Sequence, residues 1–174
     1  MCFDKADAKA NVLSSYVIEE LNGLLDQLEE QPPKGLVLYS GKPGSFIMGA
    51  DITEFSDFGS AEEVARLGRL GQGVFRRFEA LPCPTVAAIN GVCLGGGLEI
   101  SMFFDYRIGP PGDSKVFGLP EVKLGLHPGF GGTVRAVQIC GVRAGMQLML
   151  TGNPVNSGKA LNIGLIDRIA GEDD

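Results

Sequence analysis

"PTVAAINGVCLGGGLEISMFFDYRIG" (residues 84–109) decides the fold, because it predicts a strand, a turn, a helix and another strand in succession. The apolar run "PTVAAI" has the length and composition of a buried strand and ends at Asn90 and Gly91. "LEISMFF" is interpreted as a helix and "DYRIG" as the strand after it. Two strands joined through a helix form the repeating unit of a parallel sheet. The stretch therefore predicts an α/β fold.

The segments before this stretch continue the alternation of helices and strands. "SSYVIEELNGLLDQLEEQ" (14–31) predicts a helix that Ser14 or Ser15 can cap and that Pro32 and Pro33 end. Its apolar face consists of Val17, Ile18, Leu21, Leu24, Leu25 and Leu28. The apolar run "GLVLYS" that follows predicts a buried strand.

A second amphipathic helix is predicted by "SAEEVARLGRLGQGVFRRFEAL" (60–81), which opens with Ser60 and Glu63 at the spacing of a capping box. Its predicted apolar face consists of Val64, Leu67, Leu70, Val74, Phe75 and Phe78. Further along the chain, Phe103 and Phe104 are expected in the core. The last part of the sequence predicts shorter helices at 131–140, 143–152 and 157–164 and a strand at 165–170.

The composition excludes several classes of protein. The 174 residues fit one domain, expected to cover 1–174, and the 44% hydrophobic and 21% charged residues are typical of soluble globular proteins. A formal net charge of −6 without a dense run of Lys or Arg argues against binding to nucleic acid or to an anionic membrane. The sequence contains neither a signal-peptide pattern nor an apolar stretch long enough to span a membrane. We therefore expect a cytoplasmic protein.

The cysteines and the histidine do not form a metal-binding pattern. Cys2, Cys83, Cys93 and Cys140 are widely spaced without a CxxC pair, and His127 is the single histidine. We therefore expect buried, reduced thiols and no metal site.

The run of three glycines, Gly95 to Gly97, admits more than one explanation. It does not match the GxGxxG fingerprint, and the sequence lacks the GxxxxGK[ST] pattern of a phosphate-binding loop. Glycines at this point could serve only to let the helix pack closely against a strand. Alternatively, free N–H groups at the start of the helix could stabilise an oxygen that gains negative charge. The glycines alone do not decide between packing and oxyanion binding.

Three separated segments resemble one known family. They are "SGKPGSFIMGADITEF" (40–55), which predicts a short apolar strand before Gly49, "INGVCLGGGLE" (89–99) and "FGLPEVKLGLHPGFGGT" (117–133). In this order they resemble the crotonase (enoyl-CoA hydratase/isomerase) family, and the resemblance covers nearly the whole chain. "ADAKANVLSS" and "LPEVKLGLHPGFGGTVR" are similar to the N-terminal hydratase half of multifunctional fatty-acid oxidation proteins. The resemblance implies an α/β fold with a crotonase-like ββα superhelix core, which we expect to be truncated at both ends.

The resemblance also implies the positions of an oxyanion hole. In this family two backbone N–H groups bind the thioester oxygen of an acyl-CoA, and the matching positions are Ala50 and Gly96. A glycine at position 96 is then expected to leave room for the thioester. Substrate contacts are expected from Lys42, Met48, Gly49, Asp51, Ile52, Gly95, Pro120 and Gly129.

Two glutamates match the acids of the family. Members that hydrate a 2-enoyl-CoA use two carboxyl groups, and the matching residues are Glu99 and Glu121. Following the resemblance, we assign Glu99 to the water molecule and Glu121 to the α-carbon. Asp51 is expected to orient its loop, and His127 is expected to have no catalytic role. No cofactor is implied, because coenzyme A is part of the substrate.

The resemblance therefore predicts an enoyl-CoA hydratase, which converts a 2-enoyl-CoA into a 3-hydroxyacyl-CoA. Δ3-Δ2-enoyl-CoA isomerisation is one alternative, although relatives that only shift a double bond often lack one of the two acids. An inactive acyl-CoA-binding or assembly module, left by truncation, is another. The family implies a homotrimer, whose contacts truncation would weaken. An exposed sheet edge and an uncovered pocket are also expected.

Overall fold

The computed structural model describes residues 1–57 and 59–171, so residue 58 and residues 172–174 of the expected domain lie outside the described residues. Within the described part, the strands form two sheets in which every neighbouring pair is parallel. The larger sheet has the spatial order β1 (Cys2–Phe3), β2 (Leu36–Ser40), β4 (Thr85–Ala88), β6 (Tyr106–Gly109) and β8 (Arg168–Ile169). The smaller sheet has the order β3 (Gly44–Ile47), β5 (Gly91–Leu94) and β7 (Phe117–Gly118).

Helices lie between the strands in the chain, as the alternating pattern predicts. They are α1 (Ser15–Glu30), α2 (Ala61–Glu79), α3 (Gly96–Ser101), α4 (Gly132–Thr151) and α5 (Ser157–Asn162). Two 3₁₀ helices, Ile52–Asp57 and Pro120–Leu124, follow β3 and β7. Among the described residues, no helix combines the length and apolarity that a membrane span requires.

The boundaries of α1 agree with its sequence signals. Ser14, rather than Ser15, is the cap, and its hydroxyl accepts a hydrogen bond from the Val17 N–H (3.3 Å). The helix ends at Glu30, just before the two prolines that lack a helical N–H donor. The buried part of its apolar face consists of Val17, Ile18, Leu21 and Leu25.

Helix α2 is also capped as predicted, but its first turns do not face the core. The Ser60 hydroxyl accepts a hydrogen bond from the Glu63 N–H (3.2 Å), and the Glu63 carboxylate accepts one from the Gly59 N–H (3.0 Å). The later part of the predicted face is buried at Val74, Phe75 and Phe78. The prediction is wrong for Val64, which is 48% exposed because the first turns of α2 border a cavity.

Helix α3 begins two residues before the segment "LEISMFF" that predicted it. Gly95, with a φ of 50°, completes the turn out of β5, so the helix starts at once at Gly96 and ends at Ser101. Phe103 and Phe104 follow the helix and are buried, as predicted.

The sequence predicted the smaller sheet only in part. A short apolar strand was expected before Gly49, whereas β5, β7 and the edge strand β1 were not. Gly91 weakens the strand pattern of β5, because glycine is depleted in strands. The pairing of β5 with β3 nevertheless requires glycine, since a Cβ on Gly91 would overlap the carbonyl group of Gly44. Contact between two backbones therefore selects a residue that the strand pattern disfavours.

The C-terminal elements differ from the prediction in their lengths. The two helices predicted at 131–140 and 143–152 form one element, α4, with a kink at Gly141, where φ is 75°. The predicted final strand is reduced to β8, whose partner is β6. The expectation of buried thiols is confirmed for Cys93, whereas Cys83 and Cys140 are only partly buried. It is wrong for Cys2, which is exposed because β1 lies at the edge of the larger sheet.

A buried side chain, that of Asn11, joins the two sheets. Its Nδ2 lies 2.8 Å from the Phe3 carbonyl oxygen in β1, 2.9 Å from Ser40 Oγ in β2 and 3.1 Å from the Phe46 carbonyl oxygen in β3. Its Oδ1 accepts a hydrogen bond from the Lys5 N–H (2.9 Å). One amide group thus links three strands just before α1 begins.

We predict that Asn11→Ala lowers the free energy of unfolding by about 2–4 kcal/mol, because it removes several buried hydrogen bonds and leaves a cavity. Urea unfolding followed by circular dichroism measures this loss. Asn90→Ala is the matched control, because its Nδ2 also donates to two carbonyl oxygens but the residue is exposed. The control should lose less than about 1 kcal/mol. Equal losses would contradict the role given to Asn11.

Candidate active site

A cavity of about 300 Å³ lies between the starts of α1, α2 and α3, the loop after β3, and the segment from the second 3₁₀ helix to α4. Ala50, Gly96, Glu99 and Glu121 all line it. Three segments that are distant in the sequence therefore meet at one place.

The Ala50 N–H is oriented by the carbonyl group of the same peptide. The Gly49 oxygen accepts a hydrogen bond from the Leu13 N–H (2.8 Å), and in a trans peptide the next N–H points the opposite way. Gly49 has a φ of 108°, which glycine adopts without strain. No described residue accepts a hydrogen bond from the Ala50 N–H, so this donor is available to a ligand.

The Gly96 N–H is oriented in the same way. The Gly95 oxygen accepts a hydrogen bond from the Glu99 N–H (2.9 Å). The Gly96 N–H belongs to the same peptide as this oxygen, so it points the opposite way, out of the start of α3. It also lacks an acceptor within the described part of the chain. A Cβ on Gly49 would lie 3.9 Å from the Gly96 nitrogen, so the segments that carry the two available donors are in contact.

Glu99 is almost completely buried, with 1% of its surface exposed. Its Oε1 accepts hydrogen bonds from the Phe130 N–H (2.8 Å) and the Gly132 N–H (2.7 Å). Burial raises the pKa of Glu99 to about 7, and the negative charge of Glu121 adds to this rise. The hydrogen bonds from the Gly132 and Phe130 N–H groups lower the pKa and so oppose the rise. A carboxyl group with a pKa near neutrality can both take up and release a proton during a reaction.

The segment "PGFGGT" (128–133) approaches Glu99 closely because it is rich in glycine. A Cβ on Gly132 would lie 2.9 Å from Glu99 Oε1. Gly131 has a φ of 118°, a conformation that other residues rarely adopt. Larger residues here would move the donor N–H groups away from the carboxylate.

Glu121 reaches the cavity from the 3₁₀ helix Pro120–Leu124. A Cβ on Gly95 would lie 2.9 Å from Glu121 Oε1, so this carboxyl group lies against the glycine run. Its Oε2 is buried and has no hydrogen-bond partner among the described residues. Burial raises the pKa of Glu121, whereas its own N–H and the nearby His127 lower it. Burial thus makes this carboxyl group less acidic than a glutamate in water.

The candidate substrate contacts lie around the same cavity with one exception. Those in its wall are Met48, Gly49, Asp51, Ile52, Gly95, Pro120 and Gly129. Lys42 does not line the cavity, and its Nζ pairs with the Asp4 carboxylate (2.6 Å) beyond the end of β2.

The carboxylate of Asp51 is engaged within its own loop. Oδ1 accepts hydrogen bonds from the Thr53 hydroxyl (2.6 Å) and the Thr53 N–H (3.2 Å), and Oδ2 pairs with Lys5 Nζ (3.3 Å). The Thr53 hydroxyl is the main cause of the lowered pKa of Asp51, which burial opposes and Lys5 lowers further. These contacts are those expected of a residue that orients its loop.

Packing gives glycine at position 96 a reason of its own, beside the expected room for a thioester. A Cβ on Gly96 would not enter open space, since it would lie 2.9 Å from Leu13 Cδ1 and 3.1 Å from Phe130 Cδ2. A Cβ on Gly97 would overlap the carbonyl group of Ile47. Close packing therefore explains both glycines, while the orientation of the Gly96 N–H follows from the peptide geometry.

Sequence reasoning missed the apolar part of the wall, because its residues follow the pattern of ordinary core positions. This part includes Leu13, Ile18, Leu67, Leu126 and Phe130. The sequence did contain a signal for this wall in Gly68 and Gly71 of the predicted second helix. Glycine inside a helix lowers its stability, so its presence indicates that another group packs closely against the helix.

Comparisons with known proteins agree with the architecture and the motifs. The sequence pattern described as Enoyl-CoA hydratase/isomerase matches residues 4–174. The chain is 43% identical over 169 residues to the fatty acid oxidation complex subunit alpha of Aliivibrio fischeri, covering 96% of this chain and 25% of that protein. It is 45% identical over 160 residues to the protein of the same name from Idiomarina loihiensis, covering 91% and 23%. The chain thus spans about a quarter of the length of these curated relatives.

Solved structures share the fold. An enoyl-CoA hydratase from Bacillus anthracis is 33% identical, with a TM-score of 0.84 over 93% of this chain and 62% of that one. An enoyl-CoA hydratase from Geobacillus kaustophilus is 26% identical, with a TM-score of 0.90 over 99% of this chain and 65% of that one. The predicted α/β, crotonase-like fold and the predicted resemblance to fatty-acid oxidation proteins are confirmed.

We predict that Glu99 makes stability depend on pH. The folded protein keeps the Glu99 proton up to a pKa of about 7, whereas an unfolded glutamate loses it near 4.5. Between these values the folded state binds more protons, so stability falls as pH rises through this window, by at most about 3 kcal/mol. Glu99→Gln keeps the acceptor oxygen and removes the titration. Relative to wild type, the variant should therefore gain stability from pH 4.5 to 7.

Urea unfolding of both proteins at several pH values measures this difference. Glu19→Gln, on the exposed face of α1, controls for the change in net charge. Parallel stability curves for wild type and Glu99→Gln would contradict the raised pKa.

Proposed function

Because the chain belongs to the enoyl-CoA hydratase/isomerase family, we propose that it is an enoyl-CoA hydratase, which adds water across the 2,3 double bond of a 2-enoyl-CoA. The proposal rests on one observation: two kinds of chemical group line the same cavity. Two N–H groups lack acceptors among the described residues, and two carboxyl groups have raised pKa values. The first kind suits the thioester oxygen, and the second suits two proton transfers.

The N–H groups of Ala50 and Gly96 bind the thioester oxygen in this proposal. When the water oxygen bonds to C3 of the substrate, electron density moves through C2 onto the thioester oxygen, giving an enolate. Donors that are oriented before the reaction stabilise this charge without reorganisation. Loss of one such donor typically costs about 3 kcal/mol of transition-state stabilisation.

The two glutamates divide the proton transfers. Glu99, as a carboxylate, takes a proton from water while the water oxygen bonds to C3. Glu121, as an acid, gives its proton to C2. The product has then gained the elements of one water molecule, and a proton passed from Glu99 to Glu121 restores both groups. A pKa of about 7 suits Glu99 for this cycle, and the unpartnered buried Oε2 suits Glu121 as the acid.

Two proton-transfer groups favour hydration over isomerisation, which moves a single proton between carbon atoms. The relatives support the same substrate class, since they are named enoyl-CoA hydratase and fatty acid oxidation complex subunit alpha. The proposed reaction needs no cofactor beyond the coenzyme A that the substrate carries, because the thioester itself activates the double bond.

The proposal includes action in the cytoplasm and self-association as the homotrimer implied by the family resemblance. Self-association is supported by exposed apolar side chains at Val142, Met146 and Leu150, which recur every four residues along α4.

We predict that Glu99→Gln and Glu121→Gln each lower kcat for hydration of crotonyl-CoA at least about 100-fold, because general acid–base catalysis contributes about 10²–10⁴-fold. KM should change much less, since the N–H groups of Ala50 and Gly96 are retained. The fold-loss in kcat of the double variant should be smaller than the product of the two single fold-losses, because both groups act in one step. Loss of the enoyl thioester absorbance measures the rates.

Glu63→Gln is the matched control, since its carboxylate caps the start of α2 outside the cavity and its loss should leave the rate unchanged. Full activity in either site variant would remove that glutamate from the mechanism. A wild-type chain that isomerises a 3-enoyl-CoA without hydrating crotonyl-CoA would indicate an isomerase, and one that only binds acyl-CoA would indicate a binding module.

The division of roles predicts a difference in exchange of the α-proton of a saturated acyl-CoA with deuterated solvent. Glu121→Gln should suppress this exchange more than Glu99→Gln, because it removes the group assigned to the α-carbon. Mass spectrometry of the recovered thioester measures the exchange. Equal suppression by the two variants would overturn the assignment.

A further inference from the structure

Helix α2 contains glycines at positions 68, 71 and 73, although glycine inside a helix lowers its stability. Gly73 has no steric reason to be glycine, because nothing lies within 4 Å of a Cβ built there. Gly71 is different: it is buried, and a Cβ on it would overlap the ring of Phe130. Gly71 is therefore required by the neighbouring ring of Phe130, whereas Gly73, two residues away, has no neighbour that requires glycine.

The ring of Phe130 lies between two helices. It occupies the notch left by Gly71 of α2, and two of its ring carbons lie 3.1 and 3.3 Å from a Cβ built on Gly96 of α3. The ring of Phe75 is a further neighbour, with 5.4 Å between ring centroids. Phe130 also lines the cavity, so its remaining side borders open space.

The backbone of Phe130 holds the buried carboxylate, since its N–H donates to Glu99 Oε1 (2.8 Å). Helix α2 also contacts the preceding residue, because Gln72 Nε2 donates to the Gly129 oxygen (2.8 Å). The position of the Phe130 ring against α2 thus helps to set the position of the N–H that meets Glu99.

We propose that Gly71 is a positioning residue for the candidate active site: the notch that it leaves in α2 receives Phe130 and thereby keeps the Phe130 N–H on Glu99. Gly71 neither contacts the carboxylate nor lines the cavity, so it acts only through Phe130. The catalytic meaning of this arrangement rests on the proposed function, whereas the contact itself can be tested without turnover.

The consequence of adding one methyl group at Gly71 follows from this geometry. The methyl group displaces the ring, and the ring can move into the cavity, so the fold is retained. The ring and the N–H belong to one residue, so the displacement weakens the hydrogen bond to Glu99. Loss of a donor to the charged form raises the pKa of a carboxyl group.

The test is an NMR titration of the Glu99 carboxyl carbon in ¹³C-labelled protein. Gly71→Ala should raise the pKa of Glu99 by about one unit, a shift typical for loss of one hydrogen bond to a carboxylate. Gly73→Ala, in the same helix, should leave that pKa unchanged and keep or raise Tm, since alanine favours the helix. If Gly71→Ala leaves the pKa unchanged, or if Gly73→Ala shifts it equally, the proposal is overturned.

A second-site variant separates positioning from general damage. Gly71→Ala combined with Phe130→Leu replaces the ring by a smaller apolar side chain that still fills the reduced space beside α2 without meeting the new methyl group, so the pKa of Glu99 should return to the wild-type value. If Gly71→Ala does not fold, Phe130→Ala decides, because it removes the ring without adding bulk. A raised pKa of Glu99 in Phe130→Ala supports the proposal, and an unchanged pKa overturns it.

The kinetic readout distinguishes failure of this inference from failure of the proposed function. In an active chain, Gly71→Ala should move the limb of the kcat/KM–pH profile that reports Glu99 upward by the same shift. A raised pKa in a chain that never hydrates crotonyl-CoA would refute the proposed function and leave the positioning role intact. Normal hydration with an identical pH profile in Gly71→Ala would refute the positioning role alone.

Discussion

The buried carboxyl group of Glu99 is the group on which the arrangement of the cavity depends. A charge that is 1% exposed is costly unless donors surround it, and the donors here are backbone N–H groups at 2.7 and 2.8 Å. For these N–H groups to come so close, α4 must begin with glycine at the point nearest to the carboxylate, Gly132. Phe130 must also fit between α2 and α3. The requirements of one side chain thus extend to residues on three helices.

The second carboxyl group makes the first more difficult to ionise. The charge of Glu121 raises the pKa of Glu99, and Glu121 itself is buried with one oxygen that has no partner among the described residues. Two buried acids that repel each other in this way disfavour the state in which both carry a charge. This property follows from burial and proximity, so it belongs to the structure whichever substrate the cavity accepts.

The two available N–H groups owe their orientation to the carbonyl groups of their own peptides. The Gly49 oxygen is held by the Leu13 N–H, and the Gly95 oxygen is held by the Glu99 N–H. Each peptide therefore has its oxygen bound inside the protein and its N–H left for a ligand. Glycines with positive φ angles of 108° and 50° make both turns possible. Such donors exist before any ligand arrives, which is the condition for electrostatic stabilisation of a developing charge.

The sequence by itself determined the alternation of helices and strands, the cap at Ser60, the choice of Ser14 or Ser15 as the cap of α1, and the segments that resemble a family. These features depend on local periodicity, on capping chemistry and on motifs within single segments. Only the tertiary structure decided how the smaller sheet pairs, the ion pair that Lys42 makes with Asp4 outside the cavity, the exposure of Val64, and the close packing at Gly96. Each of these depends on residues far apart in the chain. A sequence pattern records which face of an element is apolar, but the group that meets that face is set only when the chain folds.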